Sequence, residues 1–282
     1  SNFSQSSFTQ VAVPDWTPKL SPFGAPQKLL VVGAQPGDEV AWTQGSCADS
    51  PQGQSSTRTR VYGVTSVSQA FTLHPTAAVG TWKFCHRPTS QGLWTHVTGV
   101  SLSIIPKPSY APNVGIAGSV TPLTFSGARN GDYIVLDGGD CSNASAVVTG
   151  AFSRARQTIA NLTVSTSVPM VGLGNVSVCY ATLESGGESA DDYTRLDVKL
   201  LQVQPPTFTP NRTITGTAQH LRVVGGVGGD FIAWTLAPEC PQTIHTATPS
   251  QTAAYNISHS LQGFTLHRDA MSGLWNQCYK AS

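Results

Sequence analysis

The spacing of the cysteines constrains this chain more than any other feature. The six cysteines form three pairs with 38 positions between the members of each pair: Cys47 and Cys85, Cys141 and Cys179, Cys240 and Cys278. An even number of cysteines at a fixed interval is typical of a disulfide framework, which forms in oxidising compartments. The spacing therefore predicts three disulfides with these pairings, one in each copy of a repeated unit.

Other residues recur in register with the cysteines. Each copy has an aromatic-x-Pro motif, a glycine six residues later, and a G-x-x-x-G-D segment that ends in Asp38, Asp132 or Asp230. The copies are 94 and 98 residues apart, which is the size of a domain and larger than a solenoid repeat. The sequence therefore predicts three modules, over residues 14–106, 107–204 and 205–282.

The apolar residues within a module mostly alternate with polar ones. Leu29 and Val31 follow this pattern, as do Phe71 and Leu73, and glycine-rich turns separate such runs at intervals of about ten residues. About seven short strands in a unit of this size indicate an immunoglobulin-like β-sandwich. We therefore predict an all-β chain of tandem sandwiches, with a small closed β-barrel as the alternative for each module.

Strand parity predicts where the disulfides lie. Trp82, Val176 and Trp275 each precede the second cysteine of a repeat by three positions, and therefore lie on the opposite face of a regular strand. If these large residues form the core, the cysteines face outward or follow the end of the strand. We expect a peripheral disulfide that ties a loop to a strand edge, unlike the core disulfide of antibody domains.

The G-x-x-x-G-D segment has two interpretations. A hairpin turn needs the positive φ of glycine, and an aspartate there can bond to its own backbone. A calcium site at Asp38, Asp132 and Asp230 is the alternative, but calcium takes six to eight oxygen ligands and no second acidic cluster recurs in register. The sequence favours the turn and predicts no metal site.

Six Asn-x-Ser/Thr sequons are candidates for glycosylation: Asn2, Asn143, Asn161, Asn175, Asn211 and Asn256. Strand parity places Asn161 outward beside an inward Leu162 and Val164, and Asn175 outward beside Val176. With the disulfide framework, these sequons predict a secreted or cell-surface glycoprotein.

The two ends of the chain match parts of a module. Residues 1–13 and their continuation, SSFTQVAVPDW, resemble the closing strands and linkers SLSIIPKPSY and LLQVQPPTF, whereas the third module ends four residues after Cys278 without a closing strand. We interpret residues 1–13 as the closing strand of a preceding or neighbouring module. The chain is then either a segment of a longer array or a subunit that exchanges strands head-to-tail with its copies.

The sequence contains none of the common catalytic patterns. It has no H-E-x-x-H, C-x-x-C or G-x-S-x-G motif, and the predicted disulfides use every thiol. His74 and His267 both follow F-T-L and are expected in turns or on the surface. We predict that the protein is not an enzyme and has no cofactor.

Two further groups are candidates for binding glycans. Trp94 and Tyr193 precede the closing strands and could stack on sugars, although packing in a core or at an edge is favoured. The R-x-R pairs Arg58 and Arg60, and Arg154 and Arg156, could bind anionic glycans, but a solvated strand edge is the favoured interpretation.

The charge and hydropathy of the chain exclude two classes of partner. Charged residues make up 11% of the sequence and the formal net charge is +1, so no field attracts nucleic acid or an anionic membrane. No apolar run approaches the roughly 18 residues that a transmembrane helix requires. The expected partners are neighbouring modules or copies of the chain, in head-to-tail contact, with glycans or surface proteins as the alternative.

The repeat resembles a known class of surface protein. Its pattern is carried by Gly37, Asp38, Cys47, Gly80, Trp82, Cys85 and Trp94. It resembles the tandem repeats of large surface or flagellar glycoproteins of protists, kinetoplastids and their relatives in particular. The second module departs from the pattern, with Val176 in place of the tryptophan and a longer segment before Tyr193. The resemblance implies an extracellular glycosylated stalk or filament and brings no catalytic residues.

The sequence thus predicts an extracellular structural or adhesive glycoprotein. Its role would be mechanical: each module is cross-linked by a disulfide, and the proline-containing linkers limit bending between modules. A ligand- or glycan-binding module of a receptor or adhesin is the alternative.

Overall fold

The computed structural model describes residues 13–48, 53–89, 92–146, 156–167, 174–241, 244, 246–259, 261–266 and 268–282. Of the predicted closing strand over 1–13, all but Val13 lies outside the described residues. By its internal contacts the chain divides into two compact units. The first takes in the chain up to Ala111, Thr124–Val164 and Val176–Lys199; the second comprises Pro112–Leu123, Ser165–Asn175 and Leu200–Ser282.

The first repeat, residues 14–106, forms eight strands in two sheets. They are β1 (Asp15–Thr17), β2 (Leu20–Pro22), β3 (Lys28–Val32), β4 (Glu39–Thr43), β5 (Tyr62–Gly63), β6 (Ser68–Thr72), β7 (Gly80–Arg87) and β8 (Thr95–Ile105). One sheet has the order β1-β3-β6 and the other the order β2-β8-β7-β4-β5, in which β2 and β8 are parallel. Two separate sheets make this repeat a β-sandwich rather than the alternative closed barrel.

The core of the first repeat lies between these sheets. Trp16 of β1 packs against Phe84 of β7 with their ring centroids 4.5 Å apart, and Trp42 of β4 is wholly buried. Residues of β3 alternate between exposed and buried, as a strand with one face on a core requires. The alternation seen in the sequence therefore corresponds to a real inward face.

The second repeat, residues 107–204, contributes strands to both units. They are β9 (Ser109–Ala111), β10 (Val114–Ile116), β11 (Val120–Ser126), β12 (Tyr133–Asp137), β13 (Gln157–Thr158), β14 (Thr163–Ser167), β15 (Asn175–Ala181), β16 (Thr194–Arg195) and β17 (Leu200–Val203). Two 3-10 helices, Leu183–Ser185 and Ala190–Asp192, lie between β15 and β16. β12 pairs antiparallel with β13 and β15, and β10 pairs in parallel with β17 as β2 does with β8.

The third repeat, residues 205–282, forms two three-stranded sheets. Its strands are β18 (Thr207–Thr209), β19 (Gln219–Val224), β20 (Phe231–Thr235), β21 (Tyr255–Asn256), β22 (Leu261–Leu266) and β23 (Asn276–Lys280). The sheet orders are β18-β19-β22 and β21-β20-β23. Leu221, Val223, Trp234 and Phe264 form its core, so this repeat also has the sandwich arrangement.

The described part of the chain is thus all-β apart from the two 3-10 helices, as the sequence predicts. None of the described helices is long and apolar enough to cross a membrane.

Candidate functional sites

The aspartate of each G-x-x-x-G-D segment is an anchor for hydrogen bonds. Asp38 Oδ2 accepts from the Gln35 amide at 2.9 Å and from His86 Nε2 at 2.9 Å, and Asp38 Oδ1 accepts from the Thr89 amide at 3.2 Å. All three aspartates are at most 4% exposed. We call each aspartate with its three donors the aspartate anchor.

The same anchor is built in the other two repeats. Asp132 accepts from the amides of Arg129 (2.8 Å) and Leu183 (2.9 Å), and from the Tyr180 hydroxyl. The third anchor has identical connectivity: Asp230 accepts from the amides of Val227 (2.7 Å) and Ser282 (3.0 Å) and from the Tyr279 hydroxyl. Each anchor therefore joins the turn before one strand to the end of the strand that carries the second cysteine.

Sequence reasoning missed the side-chain donor of the anchor. His86, Tyr180 and Tyr279 each follow the second cysteine of a repeat directly. Histidine and tyrosine are different residue types, but each carries a hydrogen-bond donor on an aromatic side chain, the ring N–H of His86 and the hydroxyls of Tyr180 and Tyr279. The sequence signal for the anchor is an aromatic residue with a hydrogen-bond donor directly after the second cysteine of each repeat.

The anchors shift the acidity of their aspartates. Burial raises the pKa of Asp38, and the hydrogen bonds from the Gln35 amide, His86 and the Thr89 amide lower it. The hydrogen bonds together outweigh burial, so the pKa of Asp38 lies below its ordinary value. The pKa of Asp230 is also lowered: burial opposes the shift, and the Tyr279 hydroxyl and the amides of Val227 and Ser282 produce it. The bound donors thus hold both side chains as carboxylates.

The anchor geometry supports the turn interpretation of the G-x-x-x-G-D segment over the calcium alternative. Both oxygens of each carboxylate already accept hydrogen bonds from protein donors. In the described part of the chain, Asp137 with Cys141 and Cys179 is another group whose potential ligand atoms lie close together. Its two sulfurs are joined in a disulfide, and the Asp137 carboxylate accepts from the Cys141 amide at 2.8 Å, so this group is structural as well.

The three disulfides have the pairings that the spacing predicts. Cys47–Cys85, Cys141–Cys179 and Cys240–Cys278 have Cα–Cα distances of 5.5, 5.7 and 5.6 Å. The first cysteine of each pair follows the strand equivalent to β4, and the second lies on the strand equivalent to β7. This is not the core disulfide that joins the two sheets of antibody domains.

The prediction that the cysteines face outward is half wrong. Cys85 is absent from the core cluster that contains Trp82 and Phe84, in line with the parity argument. However, Cys85 and Cys179 are completely buried and Cys47 is 5% exposed, so the face of the sheet opposite the core is also shielded from solvent where these cysteines lie. Only Cys240, among the six, is exposed.

In the second repeat the disulfide is part of a second hydrophobic cluster. Cys141 and Cys179 pack with Val135, Ala181 and Tyr193. Tyr193 is 2% exposed, and its hydroxyl donates to the Gly187 carbonyl at 2.8 Å. Packing is therefore the role of Tyr193, rather than stacking on a sugar.

Three of the remaining candidates for glycan binding take part in cation–π contacts within the protein. Trp94 lies under the Arg87 guanidinium at 5.0 Å, Arg60 lies over Tyr62 at 5.1 Å, and Arg156 lies over Tyr133 at 4.6 Å. Arg58 is half-buried. Arg154 lies outside the described residues.

One of the two histidines after F-T-L is described. His74 begins a turn, in which its carbonyl accepts from the Ala77 amide at 3.1 Å, and its side chain is buried beside Trp82 rather than on the surface. Burial lowers its pKa, and its Nδ1 lies 3.0 Å from the Thr76 hydroxyl. His267 lies outside the described residues.

Five sequon asparagines lie at exposed positions: Asn143, Asn161, Asn175, Asn211 and Asn256. Asn2 lies outside the described residues. The predicted inward direction of Leu162 is wrong, since Leu162 is 40% exposed. Asn161 and Leu162 have φ of 50° and 59° and form a turn between Ala160 and Thr163, so strand parity does not apply to them. Val164 and Val176 are buried as predicted.

The first and second repeats make direct contacts within the first unit. Gln27, which is 1% exposed, donates from Nε2 to Asp192 Oδ1 at 2.8 Å, and Lys28 Nζ lies 2.7 Å from Asp191. The Lys19 amide donates to Glu184 at 3.1 Å. The partners in the second repeat all lie in the segment between β15 and β16, which is the insertion that distinguishes this repeat.

The third repeat differs from the first at one sheet edge. In the first repeat, β8 pairs with β7, where Leu102 lies opposite the wholly buried Trp82. Within the described residues, β23 pairs with β20 alone, and Trp275, the counterpart of Trp82, is only partly buried. A groove of about 160 Å³ lies here, lined among others by Thr213, Ile214, Met271, Gly273 and Trp275. We call it the edge groove.

The fold defines an all-β protein of immunoglobulin-like β-sandwich class, and comparisons add little to that class. The sequence matches no protein-family profile and no characterised relative. The extracellular region of plexin A4 is similar at 11% identity, over 90% of this chain and 21% of the plexin chain, with a TM-score of 0.32.

Two Escherichia coli alpha-2-macroglobulin structures, activated by trypsin and by porcine elastase, are similar at 10% and 12% identity. The matches cover 94% and 95% of this chain and 23% and 28% of theirs, with TM-scores of 0.20 and 0.22. The chain thus spans less than a third of each matched structure, and similarity this low assigns no function.

Proposed function

We propose that this chain is part of an extracellular structural glycoprotein, a stalk or filament whose function is to hold a defined mechanical framework. The observation that carries the proposal is that the recurring polar residues stabilise the fold of each repeat. In each repeat the aspartate carboxylate accepts the hydrogen bonds of the aspartate anchor, and the two cysteines form a disulfide. A catalytic role is not part of the proposal, because the recurring groups are already occupied by partners within the protein.

The disulfides support a mechanical role. Each one closes an interval of 38 residues, so a pulling force cannot extend that part of a repeat until the bond is reduced. Such a cross-link also stabilises the folded state by about 3–4 kcal/mol in the chain-entropy treatment. The contacts of Gln27 and Lys28 with Asp192 and Asp191 support load transfer between two successive repeats.

The location outside the cytosol is supported by the same disulfides, which persist in oxidising compartments. The exposed sequon asparagines are suitable for glycan attachment. The resemblance to protist surface and flagellar repeats agrees with this location and stays a prediction.

Immunogold electron microscopy of the cell of origin tests the proposed function, combined with glycopeptide mass spectrometry of the native protein. We expect regularly spaced label along an extracellular fibre or projection, and glycans at sequons such as Asn143 and Asn256. Label confined to the cell interior would contradict the location. Diffuse surface label without any ordered structure would contradict the structural role.

A binding function is the second candidate, and one observation favours it. The third repeat has a cavity of about 330 Å³ beside its disulfide, lined by apolar residues that include Phe231, Ile244 and Ala254. This volume is within the range of small-ligand sites. Screening the purified chain against a glycan array, with Ile244→Asp as the cavity variant, tests this candidate; binding that the variant abolishes would support it.

A further inference from the structure

We propose that the edge groove of the third repeat receives a closing β-strand from a second copy of this chain, and that the strand is the segment around Phe8. The proposal rests on the proposed structural function and specifies how its subunits assemble. The occupant is identified by the strand that fills the equivalent place in the other repeats.

The acceptor side is an incomplete sheet edge. In the first two repeats a closing strand is held in parallel pairing, β8 by β2 and β17 by β10. The counterpart of β2 in the third repeat, residues 212–214, is not in a strand, and Ile214 is 74% exposed. An edge of this kind presents unpaired backbone N–H and C=O groups to which another strand can add.

Exposed apolar side chains surround the same edge. Leu274 is 83% exposed and Met271 is 54% exposed, and Trp275 is partly buried against the core. The Trp275 ring is held in place, since its Nε1 donates to the Met271 carbonyl at 3.0 Å, as Trp82 Nε1 donates to Ala78. The tryptophan side of the groove therefore matches the first repeat, but no described strand lies over it.

The donor side is defined by sequence register. Leu102 and Leu200 each precede the aromatic residue that opens the next repeat by eight positions, and both are wholly buried. Phe8 precedes Trp16 by the same eight positions. The match extends along the strand, since F-T-Q-V at Phe8–Val11 corresponds to L-L-Q-V at Leu200–Val203. Residues 1–13 also contain no charged side chain that would oppose burial.

The register of the first repeat predicts the contacts. Because Leu102 lies opposite Trp82, Phe8 would lie opposite Trp275 and complete the core there. Because Ser103 lies opposite Thr81, Thr9 would lie opposite Leu274.

The order of the repeats argues for a second copy as the source of the strand. The donor precedes the first repeat and the acceptor is in the third, so the contact joins two different surfaces. Such a heterologous contact propagates from copy to copy, which is the geometry of a filament.

Sedimentation velocity of the full chain tests the assembly. We expect wild-type chains to form oligomers that grow with concentration, and Phe8→Asp to weaken association roughly tenfold to a hundredfold by removing the buried ring. Ser7→Asp is the matched control in the same segment and should leave association unchanged, because its counterpart in the first repeat, Ser101, is exposed. A wild-type chain that stays monomeric, or a Phe8→Asp variant that assembles normally, would overturn the proposal.

A cross-link identifies which strand occupies the groove. The chain has no free cysteine among its described residues. The double variant Thr9→Cys and Leu274→Cys should therefore form a ladder of covalent oligomers under mild oxidation, whereas Thr9→Cys with Glu239→Cys should not. An intramolecular bond would place the chain's own strand in the groove. Oligomers without any cross-link would mean another contact, including one made by chain that follows Ser282, and either result would overturn the proposal.

These outcomes are separate from those of the proposed function. Monomeric chains in solution with ordered extracellular label on cells would remove strand exchange and leave the structural role in place.

Discussion

At the scale of single residues, the three buried aspartates are the constant feature of the repeat. Each connects a turn to the residues just after the second cysteine, through one side-chain donor and two amides. A carboxylate can accept from three donors at once, which the amide of asparagine cannot do without turning a donor toward another donor. This explains why the sequence uses aspartate at the position in all three copies.

We predict that Asp230→Asn lowers the free energy of unfolding by about 2 kcal/mol near neutral pH, since hydrogen bonds to a charged group are lost. The pKa of Asp230 is lowered in the folded state, so its contribution is present above about pH 4 and disappears as the pH falls through the folded-state pKa. Denaturant titrations from pH 7 to pH 2, followed by tryptophan fluorescence, should show the variant and wild type converging in acid. The exposed Glu239→Gln is the control, and a difference independent of pH would contradict the prediction.

The side-chain donor of the anchor allows a second prediction. Tyr180 is wholly buried and donates to Asp132, and burial together with that carboxylate raises the pKa of its hydroxyl. Tyr180→Phe should therefore cost about 1.5–3 kcal/mol of stability. Tyr255→Phe, which removes an exposed hydroxyl bound to the Thr265 carbonyl, is the matched control for thermal or denaturant unfolding and should cost less. Equal losses in the two variants would contradict a special role for the anchor.

At the scale of elements, the three disulfides are equivalent in pairing but differ in environment. Cys141–Cys179 belongs to a hydrophobic cluster that Tyr193 covers, whereas Cys240 is exposed. Access of a thiol to a disulfide sulfur controls the rate of exchange.

Under native conditions dithiothreitol should therefore reduce Cys240–Cys278 first and Cys141–Cys179 last. Alkylation at successive times followed by peptide mass spectrometry measures this order. Reduction of all three bonds at one rate would show that global unfolding, rather than local exposure, controls access.

The turn at Asn161 and Leu162 is another element where a single side chain is poorly matched to its backbone. Leu162 has φ of 59° and is 40% exposed, so it carries the cost of a positive φ without the benefit of burial. Leu162→Gly should raise the free energy of unfolding by about 0.5–1 kcal/mol, because Asn-Gly is the preferred pair for this turn. Val198→Gly, at an exposed residue that has no positive φ, should not stabilise the protein in the same denaturant assay.

At the scale of the whole molecule, the contacts between the first two repeats show how an insertion becomes an interface. Asp192 accepts from Gln27 of the first repeat and from the amides of Glu188 and Ser189 in its own segment. The insertion is therefore held both by the first repeat and by hydrogen bonds within its own segment.

Gln27→Ala should loosen that insertion. We expect faster hydrogen–deuterium exchange in peptides covering Leu183–Tyr193, because the variant removes a buried donor from Asp192. Gln69→Ala removes hydrogen bonds within the first repeat and should leave exchange in the insertion unchanged. An unchanged exchange rate in Gln27→Ala would contradict coupling between the repeats through this contact.

Much of the architecture was determined by the sequence alone. The cysteine interval predicted the disulfide pairing, and the alternation of Leu29 with Val31 predicted an inward strand face, because both depend on local periodicity and on covalent geometry. The recurring G-D segment predicted a turn for the same reason. These properties are set within a short stretch of chain, so a single sequence contains them.

Only the tertiary structure decided what covers each face. Parity placed Cys85 on the face opposite Trp82, yet it could not show that Cys85 and Cys47 are both buried there. Nor could it show that His86, Tyr180 and Tyr279 reach an aspartate 48 or 49 residues earlier in the chain. The insertion before Tyr193 likewise became an interface only by meeting Gln27. Burial and long-range hydrogen bonds depend on residues that are distant in sequence, so they are fixed only when the whole chain has packed.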